Sequence, residues 1–155
     1  MSENLLFNTA LNKAMAICAD REMCNYDIHR KLNSWGIKDE ATDKILNILT
    51  RDKFIDEGRY ALAFVKDKFR YNKWGKVKIG TALKMKRIPD EMIRNALGSI
   101  NNEEYLDLLK SIIAKQKKTI KAKNQFDLKG KLLRHCLAKG FESQLVYDLL
   151  NDMED

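Results

Sequence analysis

A single proline in 155 residues, seven glycines and no alternating apolar stretch of any length leave little from which to build a sheet. No apolar run approaches the ~18 residues a membrane-spanning helix needs, so no membrane partner is expected. The first residues, Met1-Ser2-Glu3-Asn4-Leu5-Leu6, lack a basic leader before an apolar core, and no signal peptide is expected. The three cysteines, Cys18, Cys24 and Cys136, are an odd number with no Cys-x-x-Cys pair. That argues against a disulfide framework and for free thiols in a reducing, cytoplasmic setting.

Catalytic chemistry is also missing. His29 and His135 have no carboxylate close in sequence to orient them. Cys136 follows His135 directly, and neighbours on a helix point about 100° apart, so adjacency makes no dyad. A zinc site needs several Cys or His ligands at short spacing. Gly75-Lys76 lacks the first glycine and the Ser/Thr of a phosphate loop. The acid pairs Asp39-Glu40, Asp90-Glu91 and Glu103-Glu104 stand where helices begin, and complementing the helix dipole accounts for them. No catalytic residue, metal or cofactor is expected, and the chain does not read as an enzyme.

What remains is helix, organised as a repeat. Ile28–Ile37, Ile79–Ile88 and Leu132–Phe141 each carry a short helical apolar pattern, a break and an apolar residue, at offsets of 51 and 53 residues. A second short helical pattern follows each of them. A period of that size marks units that bury their apolar faces against neighbours. In the first unit Ala10, Leu11, Ala14, Met15, Ile17 and Cys18 make one helical stripe, with Asn25 the best capping residue for the next. Gly36 ends that helix and Ala41, Ile45, Ile48 and Leu49 line the third. In the second, Tyr60, Ala61, Phe64, Val65 and Phe69 share a face, Ile79 and Leu83 follow, and Pro89 marks a helix start. In the third, Leu109, Ile112 and Ile113, then Phe126, Leu128, Leu132, Leu133, Cys136 and Leu137, then Val146 and Leu150 do the same, with Gly140 as the break. The expected fold is all-α: three tandem three-helix bundles over residues 1–53, 54–100 and 101–155, forming an elongated, curved molecule.

Charge is patterned on the same frame. Ten Lys/Arg face one Asp/Glu between Arg59 and Ile88, and the same ratio recurs between Lys110 and Lys139, while the intervening and flanking blocks are acidic. Such blocks make local positive potential rather than a diffuse surplus. Lys66 to Lys78 also interleaves cations with Phe69, Tyr71 and Trp74, the arrangement that contacts phosphates while rings stack on bases or anchor a protein. The candidate binding residues are Arg59, Lys66, Arg70, Lys73, Trp74, Lys76, Lys78 and Lys84 from the first block and Lys117, Lys118 and Lys121 from the second. The structural alternatives are core placement for Phe69 and Trp74, and stabilisation of a helix C-terminus for the second lysine group.

Several of these residues resemble a known family. Asp56-Glu57-Gly58-Arg59-Tyr60-Ala61 followed by Trp74-Gly75-Lys76-Val77-Lys78-Ile79 is similar to the central signature of RecX, the bacterial regulator of RecA recombinase filaments. Arg21 with Asp27-Ile28 and Lys31-Leu32 resembles the family's first-repeat run, and Leu132-Leu133 with Gly140-Phe141 its closing element, with Lys139 in place of Arg. There are departures: Cys24 where a capping Ser is usual, Trp74 where a basic residue precedes the glycine, and Arg87 where the second repeat has Gly. That helix is therefore expected to end in another way, through Pro89. The resemblance implies a monomeric protein that binds RecA and the RecA–DNA nucleoprotein filament, lowers recombinase activity, and touches DNA weakly and without sequence preference. The rival reading is a stand-alone, sequence-nonspecific DNA-binding helical module.

Overall fold

The computed structural model describes residues 2–152, and among them every regular element is a helix. In chain order these are α1 (Glu3–Asp20), α2 (Asn25–Ser34), α3 (Asp39–Arg51), α4 (Glu57–Arg70), α5 (Lys76–Met85), α6 (Asp90–Gly98), α7 (Asn102–Thr119), α8 (Gln125–Ala138) and α9 (Ser143–Asp152). These helices fall into the triplets α1–α3, α4–α6 and α7–α9, which follow the period of the sequence repeat. Three helices are capped by the polar side chain before them: Ser2 accepts from the Leu5 amide, Asn101 from Glu104 and Asn124 from Asp127. The start of α2 differs from the expectation. Cys24, not Asn25, occupies the cap position and its side chain caps nothing. Asn25 is instead the first helical residue, and its amide donates to Glu57 Oε1 at 3.1 Å.

The middle helix of each repeat ends in the same way. The Ile37 amide donates to the Leu32 carbonyl at 3.0 Å, Ile88 to Leu83 at 3.2 Å and Phe141 to Cys136 at 3.1 Å. This six-residue closure requires a left-handed residue just before the donor. Gly36 (φ 84°) and Gly140 (φ 96°) supply it in the outer repeats, and in the middle one Arg87 adopts it at φ 60°. The expectation that Arg87 forces a different ending through Pro89 is thus corrected. The closure geometry prevails over residue preference because Ile88 must still enter the core, where it is 4% exposed. A left-handed L-residue costs roughly 1–2 kcal/mol. Replacing Arg87 by Gly is therefore expected to raise unfolding free energy by about 1 kcal/mol in urea denaturation, after the greater chain entropy of Gly is subtracted. A change of opposite sign would mean that Arg87's own contacts outweigh its strain.

By mutual packing the chain divides into two compact units, Met1–Ala63 with Leu83–Ile93, and Phe64–Ala82 with Arg94–Asp155. The first is built on Ala10, Ala14, Cys18, Ile28, Leu32, Ile45 and Leu49, with Ile37 and Ile55 sealing the loops. Polar pairs surround that core. Arg59 Nε meets Glu22 Oε2 at 2.5 Å while its Nη2 donates to the carbonyls of Lys53 and Phe54, and Lys86 Nζ meets Asp27 Oδ1 at 2.5 Å. The second unit is built on Leu109, Ile112, Ile113, Leu132, Cys136, Val146 and Leu150, together with the ring cluster Phe69–Tyr105–Phe141. Each such side chain contributes roughly 1.5–3 kcal/mol by leaving water. Phe126, read from its spacing as part of this core, is 88% exposed, so the face of α8 is narrower than the apolar pattern implied.

Candidate interface at the Trp74 turn

The turn between α4 and α5 lies in the second unit and is held almost entirely by backbone. After Arg70 the chain closes with the Trp74 amide donating to the Lys68 carbonyl at 3.1 Å, which requires Lys73 to take the left-handed conformation (φ 58°). Gly75 then donates to the Lys139 carbonyl at 2.8 Å, and Val77 to the Gly140 carbonyl at 2.9 Å. A Cβ on Gly75 would lie 2.4 Å from the Gly140 carbonyl carbon and oxygen, so only glycine permits this crossing. Below it, Tyr105 is 3% exposed, and its hydroxyl accepts from the Lys76 amide at 2.9 Å and donates to the Glu142 carboxylate. Burial and that carboxylate both raise the Tyr105 pKa, so the phenol stays protonated as a fixed hydrogen-bond bridge. Nothing local in the chain points to this bridge, because its three members come from α5, α7 and the residue preceding α9.

On this frame the turn collects positive charge. Lys68 Nζ lies 5.1 Å and Lys78 Nζ 4.6 Å from the centre of the Trp74 ring, and Lys76 Nζ lies 4.7 Å from that of Tyr105. Trp74 is therefore neither core nor a bare stacking platform: it is half-buried, with lysines over its ring. Lys139, reached through the crossing, donates to the Asn72 carbonyl at 2.9 Å. Burial, and then the like charges of Lys78 and Lys73, hold its ammonium below the usual lysine range. A cation crowded in this way is relieved when an anion arrives. Tyr71, 80% exposed, and Val77, 53% exposed, add apolar surface on neighbouring residues.

The structure sorts the remaining candidates. Lys73, Trp74, Lys76 and Lys78 come together at this turn. Lys68 and Lys139 join them but were not among the candidates; the near-constant repeat offset, which puts Lys139 just ahead of the Gly140 break, was the available signal for the second. Lys66 and Arg70 are exposed on α4 in the same unit. Lys117 and Lys118 are exposed in the last turn of α7, and Lys121 follows, its carbonyl accepting from Lys131 Nζ at 2.6 Å. Among the described residues no hydrogen bond or ring contact joins these three to the Trp74 turn. Arg59 and Lys84 belong to the first unit. Arg59 is engaged by Glu22, and Lys84 lies 3.9 Å from Asp90 in an exposed pair. Among the described residues no group of acidic, His or Cys side chains is arranged to hold a metal, and no helix is long and apolar enough to cross a membrane. All three cysteines are free and buried.

The model of the RecX second three-helix domain matches residues 56–97, which contain this turn. The regulatory protein RecX of Clostridium acetobutylicum is 28% identical over 97% of the chain and 71% of its own length. That of Prosthecochloris aestuarii is 29% identical over 93% of each. Among solved structures, a regulatory protein RecX superposes with a TM-score of 0.85 at 23% identity, covering 95% of the chain and 72% of its own. RecX from Lactobacillus salivarius superposes with a TM-score of 0.82 at 18% identity, covering 96% and 97%. At those identities the superpositions establish the all-helical repeat fold.

Proposed function

We propose that the chain is a member of the RecX family and acts as a non-enzymatic cytoplasmic regulator that binds RecA and RecA–DNA filaments and lowers recombinase activity. The observation that carries the reading is the Trp74 turn. It presents several lysines of the matched domain, joined by Lys139 at the backbone crossing, with Tyr71 exposed beside them. A filament offers acidic protein surface and phosphate together, and two weak contacts made at once bind far more tightly than either alone. Lysines fixed by backbone hydrogen bonds and ring contacts also lose less side-chain entropy on binding than free ones.

The test is RecA ATPase on single-stranded DNA. Less than one molecule of this protein per RecA is expected to lower the rate, because one regulator on a filament affects many subunits. No effect at several-fold excess over RecA from the same organism sinks the proposal. The same lysines also fit a module that needs DNA alone. Titrating naked DNA and RecA-coated DNA side by side, at the same near-physiological salt, separates the two: the filament is expected to bind more tightly, and equal affinity favours the DNA module.

A further inference from the structure

The first unit carries a second cationic site, in the block that is acidic by sequence. From Met1 to Gly58 there are eight Lys/Arg against ten Asp/Glu, and no basic face is legible there. Folding changes the balance locally. A cleft of about 530 Å³ is lined by Arg21, Glu22, Met23, Asp27, Arg30, Lys31, Ser34 and Tyr60. Its two carboxylates are already neutralised by cations from beyond the block: Glu22 by Arg59 and Asp27 by Lys86. Arg21, Arg30 and Lys31 are left without an ion-pair partner among the described residues. The positive charge continues along one edge. Arg30, Lys86 and Arg87 lie 5.9, 5.5 and 5.5 Å from the centre of the Tyr26 ring. Arg87 reaches that position from the strained left-handed conformation described above.

We infer that this cleft binds a phosphate group carried on a nucleic-acid strand, with Arg21, Arg30 and Lys31 as its ligands and Arg87 beside Tyr26 contacting the adjoining backbone. Guanidinium forks match phosphate oxygens in pairs, which is why two arginines and a lysine suit phosphate better than a diffuse field does. Because Tyr26 already has cations around its ring, the contact is to backbone and not to bases, and sequence preference is absent. This site does not depend on the proposed action on RecA, since naked DNA is its ligand.

The experiment uses the full chain and a fluorescently labelled oligothymidylate, followed by anisotropy over a range of salt. The substitutions Arg21→Gln with Lys31→Gln remove two charges from the cleft, and Arg30→Gln tests it separately. Lys38→Gln with Lys44→Gln removes the same charge from outside the cleft. The cleft pair is expected to weaken binding roughly ten-fold and to flatten the plot of log affinity against log salt by about one, whereas the outside pair changes little. Unchanged far-UV circular dichroism and melting establish that each variant is folded. Equal loss from both pairs, or none from either cleft variant, overturns the proposal. Two further arms address other sources of the charge. If millimolar inorganic phosphate moves the amide resonances of Arg21 to Ser34 while oligonucleotide affinity ignores the cleft substitutions, the ligand is a free phosphate and the strand assignment fails. If those substitutions abolish binding to DNA-free RecA but leave the oligonucleotide untouched, the cleft is a protein contact and the assignment fails equally.

Discussion

Gly75→Ala is expected to lower unfolding free energy by about 3 kcal/mol or more, the upper end of what overpacking a closed site costs. The methyl group would lie 2.4 Å from the carbonyl carbon and oxygen of Gly140 and 2.5 Å from the Phe141 nitrogen. All three are backbone atoms, so no side chain can swing aside. Separation would break the Gly75–Lys139 and Val77–Gly140 hydrogen bonds together, leaving donors and acceptors of a half-buried crossing unpaired. Gly140 has no slack to offer. Its φ of 96° is already a glycine conformation, and a Cβ placed on it would lie 2.2 Å from Lys78 Cβ. Gly98 is the control: it ends α6 with nothing within 4 Å of its virtual Cβ, and Gly98→Ala is expected to be neutral or slightly stabilising. Urea unfolding followed by circular dichroism reads both. A Gly75→Ala midpoint within error of the Gly98→Ala midpoint would mean that the crossing is looser than its geometry.

What could be read in the sequence and what could not divides along a physical line. Helix periodicity is local, and the stripes Ile28–Leu32, Ile45–Leu49 and Ile112–Ile113 are core in the fold. Helix-ending glycines are local too, and Gly36 and Gly140 adopt the conformation their type favours. Arg87 shows the limit. Its residue type argued against a left-handed turn, but the closure it completes, and the burial of Ile88, are properties of the repeat. Phe126 fails for the complementary reason: spacing states that a residue lies on a face, and tertiary packing decides whether anything covers it. The site was legible only as composition. A block of cations around Trp74 stands in the sequence, but that Lys139 joins it and Arg59 does not depends on contacts 67 and 37 residues apart. Charge counted along the chain could not disclose the cleft at Arg30 at all, because the residues that neutralise its carboxylates lie outside the acidic block.

Reversing charge at the Trp74 turn tests the proposed interface with the second large effect. Lys73→Glu with Lys78→Glu is the informative pair. Both side chains are exposed, and neither makes an ion pair among the described residues. Lys76 is a poorer choice, since its ammonium lies over the Tyr105 ring and its loss would disturb the bridge to Glu142. The double reversal shifts the local charge by four and places carboxylates beside Trp74, so affinity for RecA-coated single-stranded DNA is expected to fall by about 100-fold at roughly 0.1 M salt. The deficit should shrink as salt rises, because screening weakens attraction in the native protein and repulsion in the variant alike. Stability should change little, as exposed substitutions typically stay within ~0.5 kcal/mol. Relief of the like-charge crowding around Lys139 acts in the favourable direction. A folded double variant that binds the filament as the native protein does would move the principal contact away from this turn, and the exposed lysines at the end of α7, Lys117 and Lys118, would be the next to reverse.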